Sequence, residues 1–377
     1  MRRVLLLAGS IVFVDTLFFA ALTPLLPGYA EDLGLGKAGA GVLAAAYPAG
    51  AFFGAIPSGW VAARFGVKPT VLVGMAVVAV TTAAFGLADT VWQLDLARFM
   101  QGFASAFSWT GALAWLVAAA PATRRGRMIG QAFAAAVAGA LFGPVLGGIA
   151  SVAGTEATFG AVAALSLGVA VWAALTPAAA PGEPQHPRVL LPALRDRKIQ
   201  LAIWLVVLPA LLFGTLGVLA PLELSRLGFG AIAIGTVWLV MGALEAGNNI
   251  VIGRASDRFG PLAPVRVGLV ATIVATVLLP WPQNVYVLTV VVVLGGLAFG
   301  AFYTPGMHLL THAAEARGLG YGYAFALINL AWAPGQAGGS ALGGTVAAAS
   351  SDAVPYLALG AIAALTLAGL WRSASSS

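Results

Sequence analysis

The chain contains no cysteine, which excludes disulfides and thiolate metal sites. It is also poor in charge. Only 8% of its residues are Asp, Glu, Lys or Arg, against about 25% in a soluble domain. Function-bearing motifs are missing as well. No Walker-type phosphate loop is present, so ATP is not expected to drive the protein. The absence of His-Glu-x-x-His argues against an intramembrane zinc protease. The absence of Thr-Val-Gly-Tyr-Gly argues against a potassium channel. No enzymatic chemistry and no cofactor is expected.

What is present is apolar. Of the 377 residues, 60% are hydrophobic, more than a soluble fold of this size could bury, so lipid must solvate most of the chain. The expected fold is an all-α membrane protein. Met1-Arg2-Arg3 precedes an apolar run to Ala30. That run is too long for a signal peptide and reads as a first transmembrane helix. About 20 apolar residues cross a bilayer as a helix. Twelve such runs follow from breaking the chain at charged or Gly/Pro-rich points: 4–28, 39–62, 69–88, 92–120, 128–152, 157–177, 199–222, 231–253, 262–281, 285–310, 319–347 and 353–371.

The net charge of +6 could suggest nucleic acid, but the positives sit in short loops. With cytoplasmic termini, 16 of the 19 Lys and Arg fall in inside loops. Only Lys37 and Arg226 fall outside, and Arg98 lies within a span. This is the positive-inside pattern, and no nucleic-acid partner is expected. The location it suits is a prokaryotic cytoplasmic membrane, with a monomer sufficient.

The chain reads as two halves. The longest polar interruption follows the sixth span, giving an N-terminal bundle (1–177), a cytoplasmic linker (178–198) and a C-terminal bundle (199–377). Gly59-x-x-x-Ala63-Arg64-Phe65-Gly66 returns 194 residues later as Gly253-x-x-x-Asp257-Arg258-Phe259-Gly260, and Leu33-Gly34-Leu35-Gly36 returns at the same offset as Leu227-Gly228-Phe229-Gly230. Near that offset, Gly143-Pro144-x-x-Gly147-Gly148 matches Pro334-Gly335-x-x-Gly338-Gly339. Duplicated helical bundles around a midplane site are the architecture of secondary transporters.

These motifs resemble the major facilitator superfamily over essentially the whole chain. The Gly-x-x-x-Asp-Arg-x-Gly loop is the family's best-known motif, and here the second copy is the intact one. Arg98-Phe99-Met100-Gln101-Gly102 resembles its Arg-x-x-Gln-Gly motif. Gly139-x-x-x-Gly143-Pro144-x-x-Gly147-Gly148 is similar to the span-five motif of its proton-coupled antiporters, and Asp15 with Pro24 and Pro27 to the first helix of the twelve-span drug:proton branch. The resemblance implies two six-helix bundles, a small-molecule substrate and protons as partners, and gating roles for Gly59, Arg64, Gly66, Gly143, Pro144, Gly147, Gly253, Asp257, Arg258 and Gly260. Ala63 departs from the pattern, since the family usually has an acid there. A weaker cytoplasmic gate is expected on that half, with Asp257 supplying the remaining contact.

Charges inside spans cost about 2.5–3.5 kcal/mol each at a helix centre, so they need a reason. Asp15 lies mid-span with Phe18, Phe19 and Leu22 on its face. It reads as a site for a proton or a cation, or as a structural polar group. Glu245 has Asn248 and Asn249 one turn on and Met241 and Trp238 behind it. It reads either as a proton or substrate site or as a helix–helix contact. Arg98, flanked by Asp95 and Gln101, either modulates an acid, as the resemblance suggests, or simply pairs with Asp95. Asn329, Trp332 and Gln336 share one face of span eleven, and Tyr303 and His308 lie in span ten. All but His308, which is more often structural, are candidates to line the C-terminal side of a cavity. The Gly-rich run 139–148 reads as close helix packing that could itself seal a gate. The resulting expectation is alternating access with proton-coupled export of small lipophilic or cationic compounds. The alternatives are a metabolite importer or facilitator, and a membrane sensor or scaffold.

Overall fold

The computed structural model describes residues 1–121, 124–177, 190–260, 262–319 and 321–375, with side chains 190, 191, 257, 315, 321–326 and 373–375 outside the description. Among the described residues it is helical throughout and contains no strand. Twelve long helices and one short one follow in order: α1 (Arg2–Asp32), α2 (Gly36–Phe65), α3 (Val67–Gly86), α4 (Val91–Ala119), α5 (Arg125–Ala153), α6 (Thr155–Ala174), α7 (Leu190–Leu194), α8 (Arg197–Arg226), α9 (Ala231–Phe259), α10 (Leu262–Leu278), α11 (Val285–Ala316), α12 (Tyr321–Ala349) and α13 (Ala353–Ser375). The expected linker lies outside the described residues over 178–189, and its remainder carries α7.

Ten of the helices are long and apolar enough to cross a membrane. Two expected spans are weaker. α10 is apolar but has only 17 described residues. α12, with Asn329, Pro334, Gln336 and many glycines, is not among the ten. Its neighbours explain why. It packs on α2, α8 and α4, so protein rather than lipid surrounds much of it, and small or amide residues are tolerated there. Prolines lie inside α1, α2, α5, α8, α11 and α12 without ending them. Neighbouring helices can satisfy the backbone groups that they free.

The halves repeat in detail. α1 packs on α5 and α8 on α12; α3 packs on α6 and α10 on α13. Gly66, between α2 and α3, has φ +93°, and Gly260, between α9 and α10, has φ +83°. The last glycine of each loop motif therefore serves a left-handed turn that other residues adopt at a cost. Gly34 and Gly228 also have positive φ, 62° and 102°. The helix ends there carry the same hydrogen bonds, Leu35 N to Ala30 O and Phe229 N to Leu224 O, both 6→1 closures.

The third echo is corrected by the structure. A Cβ on Gly139, Gly143 or Gly147 would strike the α1 backbone at Phe13, Leu17 and Ala21, while one on Gly335 or Gly339 would strike Val207 and Leu211 of α8, and one on Gly343 would strike the Thr215 side chain. Gly143 therefore corresponds to Gly339, at an offset of 196. The sequence match placed it on Pro334. Helix contact fixes the register, whereas runs rich in glycine align equally well one turn away.

The halves meet through α2 against α12 and α5 against α9. A Cβ on Gly41 would lie 2.6 Å from Ser340 O and 3.2 Å from Gly344 Cα, and one on Gly235 would lie 2.6 Å from Pro144 O. Lys37 pairs with Asp352 at 2.5 Å. These contacts lie towards the end of the bundle opposite the termini. α9 exposes Ile232, Val240, Leu244, Ile250, Val251 and Phe259 along its length. At the termini end, outside the spans, Asp196 caps α8. The backbone N–H of Lys198 and then the Arg317 guanidinium hold its carboxyl below the usual range.

Candidate functional site

The best-formed polar cluster is built by three helices of the N-terminal half. Asp15 of α1 is 3% exposed. Its Oδ2 accepts from Tyr47 Oη of α2 at 2.8 Å, from Ser105 Oγ of α4 at 2.7 Å and from Trp109 Nε1 of α4 at 2.7 Å. Tyr47 Oη also lies 2.7 Å from Ser105 Oγ. Asp15, Tyr47 and Ser105 thus form a ring of three oxygens. The two hydroxyls carry only two protons for its three edges. A proton on the carboxyl would supply the third, with one hydroxyl then turning from Asp15 to the other.

Arg98 is the neighbouring charge, 1% exposed on α4. Its guanidinium lies 5.0 Å from the Tyr47 ring centroid, 5.4 Å from Phe18, 5.9 Å from Phe19 and 5.9 Å from Phe85. Ring faces stabilise a desolvated cation by about 2 kcal/mol or more. One Nη donates to Phe19 O at 3.2 Å, while Nε and Nη1 have no partner among the described residues. The pairing with Asp95 does not form: Asp95 Oδ1 is itself buried without a partner. An aromatic cage drawn from α1, α2 and α3 holds the guanidinium instead.

The other expected residues divide. Phe18 is buried against Phe85 and Phe159, with ring centroids 5.5 and 5.1 Å away. It therefore packs α1 on α3 and α6. Phe19 stacks on Tyr47 at 4.9 Å and meets Trp332 of α12 at 5.5 Å, so it joins the two halves. Gln101 is fully buried and turns to α3, where Nε2 donates to Thr82 at 3.4 Å. In the C-terminal half Glu245, Asn248, Asn249, Trp238, Tyr303, Asn329, Trp332 and Gln336 are all half-buried, and His308 is exposed. Thr304 donates to Asn249 Oδ1 at 2.8 Å.

The gating residues are placed as follows. Gly59, Gly143, Pro144 and Gly147 are buried in helix contacts. Arg64 and Arg258 are exposed, each over the following phenylalanine at 5.8 and 5.1 Å. Gly253 is exposed on α9, and the side chain of Asp257 lies outside the described ones. Two apolar grooves, of about 460 Å³ along α5 and α6 and about 390 Å³ between α5 and α9, hold no titratable residue. Among the described residues no His/Asp/Glu cluster could hold a metal ion.

Tyr47, Ser105 and Trp109 were not foreseen. Arg98, Gln101, Ser105 and Trp109 recur at i, i+3, i+7 and i+11 on α4, a face that helical periodicity could have shown. Tyr47 carried no such signal.

A family model described as Major Facilitator Superfamily matches residues 8–336. The chain is 32% identical to a chloramphenicol resistance protein of Streptomyces lividans over 349 residues, covering 88% of this chain and 86% of that one. Among solved structures it is similar to the human organic anion transporter MFSD10, with TM-score 0.74 at 18% identity over 97% of this chain and 98% of that one. It is also similar to a D-xylose-proton symporter, with TM-score 0.73 at 15% identity over 97% and 96%. These two likenesses concern the fold. With its length matched by the family and its helices paired in two repeating halves, the chain belongs to the major facilitator superfamily.

Proposed function

We propose that this multi-pass membrane transporter exports small lipophilic compounds in exchange for protons, and that Asp15 carries the coupling proton. The ring of Asp15, Tyr47 and Ser105 supports this reading most strongly. It is complete with a proton on the carboxyl and one proton short without it. The cluster is sealed from solvent in this conformation, so the proton is held while access changes. Arg98 sits beside it in an aromatic cage with two unpartnered nitrogens. It is a cation that an ionised Asp15 would draw. The relative's name supports export as the direction and makes chloramphenicol the first compound to test.

The inter-half contacts, which lie towards the far end, fit a state open towards the termini. With the termini in the cytoplasm, as the positive-inside pattern indicates, that state faces inward. Residues 1–177 and 199–377 would then rock as two bodies about the linker. Protons arriving from outside would release substrate there, and return of the protonated carrier would reset it.

The test uses proteoliposomes with an imposed pH gradient and a panel of chloramphenicol and lipophilic cations. The wild type should dissipate the gradient on addition of at least one compound, and Asp15→Asn should not, while remaining folded. Gradient-driven efflux retained by Asp15→Asn would refute the assignment.

A further inference from the structure

α9 and α11 cross in a register that sets three side chains of one against three small positions of the other. A Cβ on Gly296 would collide with the Met241 side chain. One on Gly300 would lie 2.5 Å from Glu245 Oε1 and 2.8 Å from its Cδ. One turn on, Thr304 Oγ1 donates to Asn249 Oδ1 at 2.8 Å. Met241, Glu245 and Asn249 recur every fourth residue on α9, as Gly296, Gly300 and Thr304 do on α11. The Glu245 carboxylate therefore lies in a slot that exists because α11 has no side chain there.

The two membrane acids differ in availability. Asp15 is sealed and has three donors on one oxygen. Glu245 is half-buried and, among the described residues, accepts no hydrogen bond and joins no ion pair. Its lone pairs are free for a ligand. The Thr304 bond engages the oxygen of the Asn249 amide, which leaves the NH2 free to donate.

We propose that Glu245 and Asn249, held in register by Gly300 and Thr304 of α11, form a ligand contact of the C-terminal half. Gly300 positions Glu245 to accept a hydroxyl, amide N–H or ammonium of the transported compound, and Asn249 donates to an acceptor on the same compound. The proton stays with Asp15. The substrate assignment rests on the export reading above; the slot itself does not.

The test exploits size. Gly300→Ala would push the carboxylate out of the slot. Glu245→Asp would withdraw it by one methylene. The combined variant would restore the fit. With the full chain in proteoliposomes and chloramphenicol and ethidium as probes, each single variant should raise KM roughly tenfold with Vmax little changed, about what one hydrogen bond to a charged group contributes. The double variant should recover towards wild type instead of multiplying the two losses. An unchanged KM in Gly300→Ala, or multiplied losses in the double variant, would overturn the proposal. Labelling by dicyclohexylcarbodiimide, read by mass spectrometry, needs no transport. In mildly acid buffer, which supplies the carboxyl proton that the reagent needs, it should modify Glu245, with a rate several-fold higher in Gly300→Ala, where the carboxyl leaves the slot. Equal rates in the two proteins would remove the slot. Should the wild type move neither probe, the export reading fails for them, and labelling still decides whether Gly300 positions Glu245.

Discussion

Tyr47 serves two charged groups at once. Its hydroxyl closes the ring with Asp15 and Ser105, and its ring face lies under Arg98. The two roles separate by substitution. Tyr47→Phe keeps the ring face and removes one proton and one acceptor, so its loss of stability should stay within about 1–3 kcal/mol. A hydrogen bond to a charged group is worth about 1.5–3 kcal/mol, so gradient-driven efflux should fall about tenfold or more. Tyr47→Ala also removes the ring and should cost about 3–5 kcal/mol of stability. Thermal melts beside efflux assays check both, and full efflux in Tyr47→Phe would show the hydroxyl to be incidental. At this scale Asp15 and Arg98 were legible in the sequence because a charge in lipid demands a reason. Their partners were not. The donors come from two other helices, and the cage is made of phenylalanines and a tyrosine that look like any membrane core. Asp95 shows the limit of spacing: it lies three residues before Arg98 yet does not meet it.

Helix against helix, glycine sets the distances. Gly139, Gly143 and Gly147 bring α5 onto the α1 backbone, and Gly335 and Gly339 bring α12 onto α8. A Cβ on Gly143 would lie 2.6 Å from Leu17 O and 2.5 Å from Ala20 Cβ. Neither neighbour is the end of a flexible side chain, so the helices must part. Gly143→Val should therefore destabilise by about 1–3 kcal/mol or more, as overpacking does, and lower the detergent melting temperature. A variant that melts like the wild type but leaks protons would make the run a gate in its own right. The spans were legible from hydropathy, and Gly66 and Gly260 from their turns. The sequence also reads α12 as a span, over 319–347, although its hydropathy is low. The offset of 196 was not legible, because it depends on which helices surround α12 and α5.

Over the whole molecule, the duplication and the family were readable from motifs at a fixed offset. The closed end was not, because Lys37 and Asp352 are 315 residues apart and carry no motif. Their ion pair and the Gly41–Gly344 approach join the halves on the side opposite the termini. The chain has no cysteine of its own, so Lys37→Cys with Asp352→Cys gives a clean pair. A short cleavable bifunctional thiol reagent should link them and stop transport, and cleavage should restore it. Linked protein that still transports would mean that this end does not open.

The central claim is that Asp15 holds a proton which bound substrate and the transport cycle displace. The most direct measurement is proton release from purified protein in weakly buffered detergent on addition of chloramphenicol or a lipophilic cation. The wild type should release protons with a saturable dependence on one of these compounds. Asp15→Asn should bind the same compound and release none. Release undiminished in Asp15→Asn, or saturable binding to the wild type with no release, would contradict the account.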